Sequence, residues 1–368
     1  MTTTRFFLCG DVMLGRGIDQ ILQHPSRPRL YETFATSALD YVRLAEAANG
    51  PIPRHVAPDY VWGDALQVLH AVKPDARIIN LETAITTSDQ HWPKGINYRM
   101  NPNNIACLTA ARIDCCGLAN NHVLDWGRAG LLDTLAALHG AGIRTAGAGA
   151  NADEAAAPAV LRLAGGGRVL VFGYAATTSG VPPEWAAGTS SPGVNLLPDV
   201  TAATATRLSV LAQKQGQPGD LLIASVHWGG NWGYTIPALQ QAFARGLIDG
   251  GFDVVHGHSS HHPKGLEIYR QKLILYGCGD FINDYEGISN HAGLRSDLGI
   301  MYLPKLDTAT GCLLALDMMP MQTRRFRLNR PSREDARWLY EVIAHECRKL
   351  KTDIHLRTDN SFAIDEAG

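Results

Sequence analysis

Short apolar runs alternate along the chain with amphipathic stretches. Arg5 to Cys9, Ala76 to Ile79, Asp114 to Leu118, Arg168 to Phe172, Leu221 to Val226, Asp253 to Val255 and Lys272 to Tyr276 are brief and rich in branched residues, which predicts buried strands. Between them, Arg128 to His139 sets Leu131, Leu135 and Leu138 on one helical face ahead of Gly140. Pro237 to Asp249 does the same with Leu239, Phe243 and Leu247 ahead of Gly250 and Gly251. Pro near the start and Gly past the end are ordinary helix punctuation. Two further apolar runs, Gly299 to Leu303 and Cys312 to Met319, precede a predicted helix over 332–349. The stretches 23–65 and 177–198 are less regular, the latter rich in Thr, Ser, Gly and Pro, and read as insertions or loops over a site. This βαβ rhythm predicts an α/β fold. A length of 368 residues does not force a division, so a single domain spanning 1–368 is expected, with its core at about 5–325.

Composition narrows the function classes. A hydrophobic fraction of 45% and a charged fraction of 18% suit a globular protein, and no apolar run is long enough to span a bilayer. A net charge of -2 and a pI near 6.7 give no electrostatic footprint for nucleic acid. Neither nucleic acid nor membrane is therefore expected as a partner. The N-terminal Met1 to Arg5 leads into Phe6-Phe7-Leu8-Cys9, too short for the core of a signal peptide. The 7 cysteines form no CxxC pair, which favours reduced thiols and a cytoplasmic location.

The chemistry gathers where the apolar runs end. Gly10-Asp11, Asn80-Leu81-Glu82, Asn120-Asn121-His122, His227-Trp228-Gly229, His256-Gly257-His258 and His261-His262 each place carboxylate, amide or imidazole groups at such an end. Polar groups there cost free energy unless paired or bound, and a metal ion is their natural common partner. In α/β sheets, sites collect beyond the carboxyl ends of strands. A lone imidazole after a strand is ordinarily a satisfied structural group, but the series points to one centre. Within the His256 to His262 cluster, His258 and His261 are the favoured functional groups. Oxygen ligands suit hard cations and imidazoles suit transition metals, so Ca, Mn, Zn, Fe and Mg all stay open.

The order of these motifs, closing on Tyr276 to Phe281 as Tyr-x-x-Gly-Asp-Phe, resembles the CapA-type proteins named for poly-γ-glutamate capsule synthesis. That family is a branch of the calcineurin-like metallophosphoesterases. The resemblance covers residues 5–285 and includes Asp11 to Arg16, Leu118 to Asp125, Gly147-Ala148-Gly149 with Asn151 and Glu154, and Ser225 to Gly229. It implies a calcineurin-like four-layer αββα sandwich of two mixed β-sheets flanked by helices. It also implies metal ligation by Asp11, Asn121, His227, His258 and His261, with His122 as catalytic imidazole; Glu82, at its own strand end, is a further candidate metal ligand, and Asp125 a candidate to orient His122. Two positions depart from the phosphoesterase pattern. Met13 stands where a histidine ligand is expected, and the bridging-aspartate region reads Asn80-Leu81-Glu82.

Fewer ligands weaken a two-metal hydrolytic mechanism while leaving acids and bases in place. The resemblance extends to enzymes of lasso-peptide biosynthesis that invert the Cα centre of a precursor's C-terminal residue. The first expectation is accordingly a metal-dependent peptide epimerase acting on a precursor peptide. Asp11, His122, Asp125, His227, His258 and Asp280 would move or orient protons, and His291 is a further proton-transfer candidate. Trp228, Trp232 and Tyr234 would form an apolar wall, and Arg16, Arg99 or Arg295 would grip a carboxylate. The alternatives are a metallohydrolase cleaving a phosphoester or γ-glutamyl amide, and a non-catalytic role in polymer assembly.

Overall fold

The computed structural model describes residues 2–288 and 293–365. Two sheets carry the fold. The larger runs His355–Leu356, Phe362–Ile364, Leu313–Thr323, Leu298–Asp307, Thr3–Val12, Ala76–Leu81, Cys115–Gly117, Arg144–Ala146, with Asp280–Ile282 paired to the end of Thr3–Val12. Thr3–Val12 is parallel to Ala76–Leu81 and antiparallel to Leu298–Asp307, so the sheet is mixed. The smaller runs Leu266–Tyr269, Lys272–Leu275, Val254–His258, Leu221–His227, Arg168–Ala175, Ala159–Arg162, parallel inside and antiparallel at both edges.

Side-chain alternation along a strand explains how the sheets meet. Phe6 and Leu8 join Ile78, Val171, Ile223 and Val254 in the core between the sheets. Phe7 and Cys9 point the other way, into a core shared with Val68, Leu69, Leu131 and Leu138 of helices Asp64–Val72 and Gly127–Gly140. On the smaller sheet, Leu222, Ala224 and Val226 face Ala205, Phe243 and Leu247 of helices Ala202–Gln215 and Ala238–Asp249. The architecture is thus α/β, with two mixed sheets packed together and helices on their outer faces. Each fully buried Phe or Leu contributes about 1.5–3 kcal/mol through area removed from water.

The stretch expected to be irregular, 23–65, carries the helix Ala38–Asn49, N-capped by the Ser37 hydroxyl. Its buried face is Ala38, Tyr41, Val42 and Ala45, and such small residues make a weak apolar stripe in sequence. The helix Arg333–Lys349, capped by Ser332, presents Leu339, Ile343 and Cys347 to the inter-sheet core. Among the described residues, no helix is long and apolar enough to cross a membrane.

Strand register sets up the site. Asp11 lies opposite both Asn80 and Asp280 on its flanking strands, and His227 lies opposite His258 on the other sheet. The ends of the two sheets therefore deliver their polar residues to one place.

Candidate metal centre

Asp11, His227 and His258 form a buried cluster in which one ligand atom from each lies within 4.8 Å of the others. Asp11 reaches it from the larger sheet and the histidines from the smaller one. Around them runs a chain of amides: Asn120 Nδ2 donates to Asn80 Oδ1 at 3.1 Å, and Asn80 Nδ2 donates to Asp11 Oδ1 at 2.7 Å. The Ser259 amide donates to Asp11 Oδ2 at 3.1 Å from a backbone with φ of 101°, a conformation costly for a residue with a Cβ. That strain is held where it aims an N–H at the carboxylate.

The imidazoles are fixed from behind. His258 Nε2 meets the Ser225 hydroxyl at 2.9 Å, which turns His258 Nδ1 toward His227 Nδ1, 2.8 Å away. His227 Nε2 in turn meets Asn121 Oδ1 at 2.9 Å. Beside this pair, His122 Nδ1 lies 2.6 Å from Asp125 Oδ2, and the Tyr98 amide donates to that same oxygen at 2.6 Å. Lys94 Nζ sits 2.6 Å from Asp125 Oδ1 and also donates to the Asn121 carbonyl. His261 Nδ1 lies 3.0 Å from Asp280 Oδ1, whose other oxygen accepts from Asn283.

Burial and the neighbouring Asp280 push the Asp11 carboxyl up to about 7. Glu82 is raised well above the usual carboxylate range by burial, Asp11 and Asp280. Burial pushes His122 down to about 4, with Lys94 adding to the effect against Asp125, and it also depresses His227 and His258. At His261 burial opposes protonation, but Asp280 outweighs it and raises the imidazole. Carboxyls forced toward neutrality beside imidazoles forced to stay neutral are what a cation would relieve.

The donor set fits a divalent metal. Among the described residues, no donor group reaches the buried Glu82 Oε2. Its Oε1 lies 3.8 Å from both His122 Nε2 and His227 Nε2, and Asp11 Oδ1 lies 3.9 Å from His258 Nδ1. These gaps are too long for hydrogen bonds, yet two ligands can share one ion across them when each bond is about 2.0–2.2 Å. Asp11, His227 and His258 would hold the ion, with Glu82 and Asn121 adjoining. Mixed carboxylate and imidazole ligands leave its identity open among Ca, Mn, Zn, Fe and Mg.

Other expected residues fall elsewhere. Trp228 is turned into the outer core, where its indole donates to the Tyr276 carbonyl at 2.9 Å and its ring meets Phe243. It faces away from the cluster, because neighbours on a strand face opposite ways and His227 takes the inner side. Arg295 is engaged by Asp297 and Asp335. Arg99 is held by Asp89 over the Trp126 ring. Arg16 does lie close, but Asp284 and Glu32 neutralise it. Trp232 stands beside His261, with ring centroids 5.0 Å apart, and Tyr234 packs on His262. His291 lies outside the described residues. Lys94 and Ser225 are central here and escape sequence reasoning: a lysine in Trp92-Pro93-Lys94-Gly95 or a serine inside an apolar strand carries no signal.

Fold and cluster together define a buried candidate metal-binding centre on a two-sheet α/β scaffold. The chain belongs to the bacterial capsule synthesis protein family PGA_cap, whose signature matches residues 5–285. A probable polyglutamine synthesis accessory protein of Mycobacterium tuberculosis is 49% identical over 361 residues, 97% of this chain and 94% of that one. The capsule biosynthesis protein CapA of Bacillus anthracis is 27% identical over 286 residues, 75% of this chain and 59% of that one. A solved structure of a Thermus thermophilus protein shares 13% identity with a TM-score of 0.39 over 85% of this chain and 97% of that one, too slight a likeness to fix a shared fold.

These relatives overturn the expectation of a lasso-peptide epimerase acting on a ribosomal precursor, since they are named for capsule and polyglutamine synthesis. The site agrees with the correction. Gripping a peptide C-terminus needs an uncommitted cation, and Arg16, Arg99 and Arg295 are each held by carboxylates.

Proposed function

We propose that the protein is a metal-dependent hydrolase of capsule-type glutamyl polymer metabolism, cleaving an amide bond. In this reading the fold is a calcineurin-like four-layer αββα sandwich, and residues 1–368 act as one domain. The observation that carries it is the convergence of Asp11, His227 and His258 from two sheets into one buried cluster. The names of the relatives supply the polymer class.

A divalent ion held there would polarise the substrate carbonyl and acidify water. The chain's own residues do the remaining work. Asp125 holds His122 at Nδ1, leaving Nε2 free on the Glu82 side. A neutral His122 takes a proton from the attacking water at Nε2 and returns it to the departing amine, so water is added across the bond. Asn80 and Ser259 fix the Asp11 carboxylate, and Ser225 fixes the His258 ring.

Phosphoester cleavage is the second reading, favoured by Asn121 and His122, which match the ligand amide and catalytic imidazole that the phosphoesterase resemblance implies. Metal-stripped protein reloaded separately with Mn, Zn, Fe, Mg and Ca should release glutamate from γ-glutamyl peptides. Rapid cleavage of bis-p-nitrophenyl phosphate with intact peptides would shift the assignment to the second reading. Inertness of every substrate with every metal would end both.

A further inference from the structure

Residues 324–333 hold five arginines and no carboxylate, in a chain whose net charge is -2. They run from the turn between Leu313–Thr323 and Leu328–Asn329 to the start of the helix Arg333–Lys349, and Arg324 and Arg330 line a cleft of about 660 Å³. The lining includes none of Asp11, His227 and His258. Its inner end approaches them through Asn283, which donates to Asp280 Oδ2 at 3.0 Å, and Asp280 lies opposite Asp11 in the strand register. Whatever the cleft holds is therefore a part of a ligand away from the attacked bond.

The arginines of this stretch are largely unspent. Arg327 is closed off by Asp64, as Arg295 is by Asp297 and Asp335. Arg324 and Arg325 instead rest Nε on the side-chain and backbone oxygens of Asn49, at 3.1 and 3.3 Å. Among the described residues no carboxylate forms an ion pair with either, nor with Arg330 or Arg333, and all four side chains are exposed. Their display carries a local cost, since Arg325 and Phe326 have φ of 58° and 53°, where Gly or Asn is the ordinary choice. Burial of Phe326 holds the turn, together with Glu286, which accepts from the Arg325 and Phe326 amides at 2.6 Å each. The acids that line the cleft are thus occupied, Glu286 by these amides and Asp297 and Asp335 by Arg295.

Unspent guanidiniums along one cleft suit a ligand with repeated anions, and carboxylates meet their paired N–H groups well. Each exposed pair is weak, and several acting on one chain add up. Single-stranded nucleic acid would call for rings on which bases stack. The ring in this lining, Tyr285, is engaged instead by His261, edge-on at 5.2 Å, and by the Tyr98 hydroxyl. Resting on the glutamyl-polymer reading, we propose that the cleft is a docking groove for a polyglutamate chain. It holds carboxylates of polymer units remote from the bond under attack.

Fluorescence anisotropy tests it, using the full chain with EDTA present so that the probe, fluorescein-labelled γ-polyglutamate, is not consumed. Binding should weaken as salt rises. Arg324→Ala combined with Arg330→Ala should weaken it about fivefold. Arg330→Glu should weaken it several times more than Arg207→Glu, an equal charge change at an exposed arginine of the helix Ala202–Gln215. Unchanged denaturation midpoints show that the variants are folded. Polymer that binds in this arginine-dependent way, yet is cleaved with no metal, sinks the hydrolase reading and leaves the groove standing. The groove is overturned, even if γ-glutamyl peptides are cleaved, by undetectable polymer binding, by equal effects of Arg330→Glu and Arg207→Glu, or by oligothymidylate of matched charge binding as tightly.

Discussion

Asp11 is the residue on which the centre turns, because it brings a carboxylate from the larger sheet to two imidazoles of the smaller one. Its carboxyl titrates near 7, raised by burial and by Asp280, and a metal ion binds only the ionised form. Below pH 7 protons compete with the ion, so apparent affinity should fall about tenfold per pH unit, and above pH 7 it should level off. Calorimetric titration with Mn or Zn from pH 5.5 to 8.5 checks this. Asp11→Asn should weaken binding by orders of magnitude and abolish the pH limb. An unchanged pH profile in that variant would place the ion elsewhere. Asp11, His227 and His258 are legible in sequence because each ends an apolar run. Trp228 misleads because adjacency in sequence is not adjacency in space, and pleating sends it to the opposite face.

At the scale of elements, hydrophobic patterning locates the buried strands closely: Arg168 to Phe172 lies within Arg168–Ala175, and Leu221 to Val226 within Leu221–His227. Such strands are apolar on both faces, so their sequence reports their environment directly. Pairs such as Ala84–Ile85 with Arg99–Met100 are too short to carry a period, and Ala38–Asn49 hides its buried face behind alanine. The closeness of the sheets is also hidden, since glycine leaves no pattern. A Cβ on Gly173 would stand 2.6 Å from the Gly147 Cα, across the contact between the 168–175 strand and the turn after Arg144–Ala146. Both partners are backbone and neither can rotate away. Gly173→Ala should therefore destabilise the fold by about 1–3 kcal/mol through overpacking. Urea denaturation measures this, and wild-type stability in that variant would show that the sheets separate readily.

Over the whole molecule, the two sheets are also tied by a polar link that makes the fold sensitive to acid. His256 Nε2 on the smaller sheet meets the Cys9 carbonyl of the larger at 2.7 Å, with Nδ1 3.3 Å from the Ser225 hydroxyl. His256 and His262 are both buried, and burial pushes each down to about 4. An unfolded imidazole titrates near 6.5, so between about pH 6.5 and 4 the unfolded chain holds more protons than the native one. Stability therefore rises with pH through that window, is lost on acidification, and is fully present above it. Each histidine contributes on the order of 3 kcal/mol across the whole range. The raised carboxyls of Asp11 and Glu82 act in the opposite sense, favouring the fold as they become protonated, so the net slope must be resolved by substitution. His256→Gln keeps an N–H donor for the Cys9 carbonyl but cannot be protonated. Its denaturation midpoint should consequently drop less than that of the wild type between pH 7 and pH 5, in metal-free protein at fixed ionic strength. If both fall equally, His256 is not the group that couples acid to separation of the sheets.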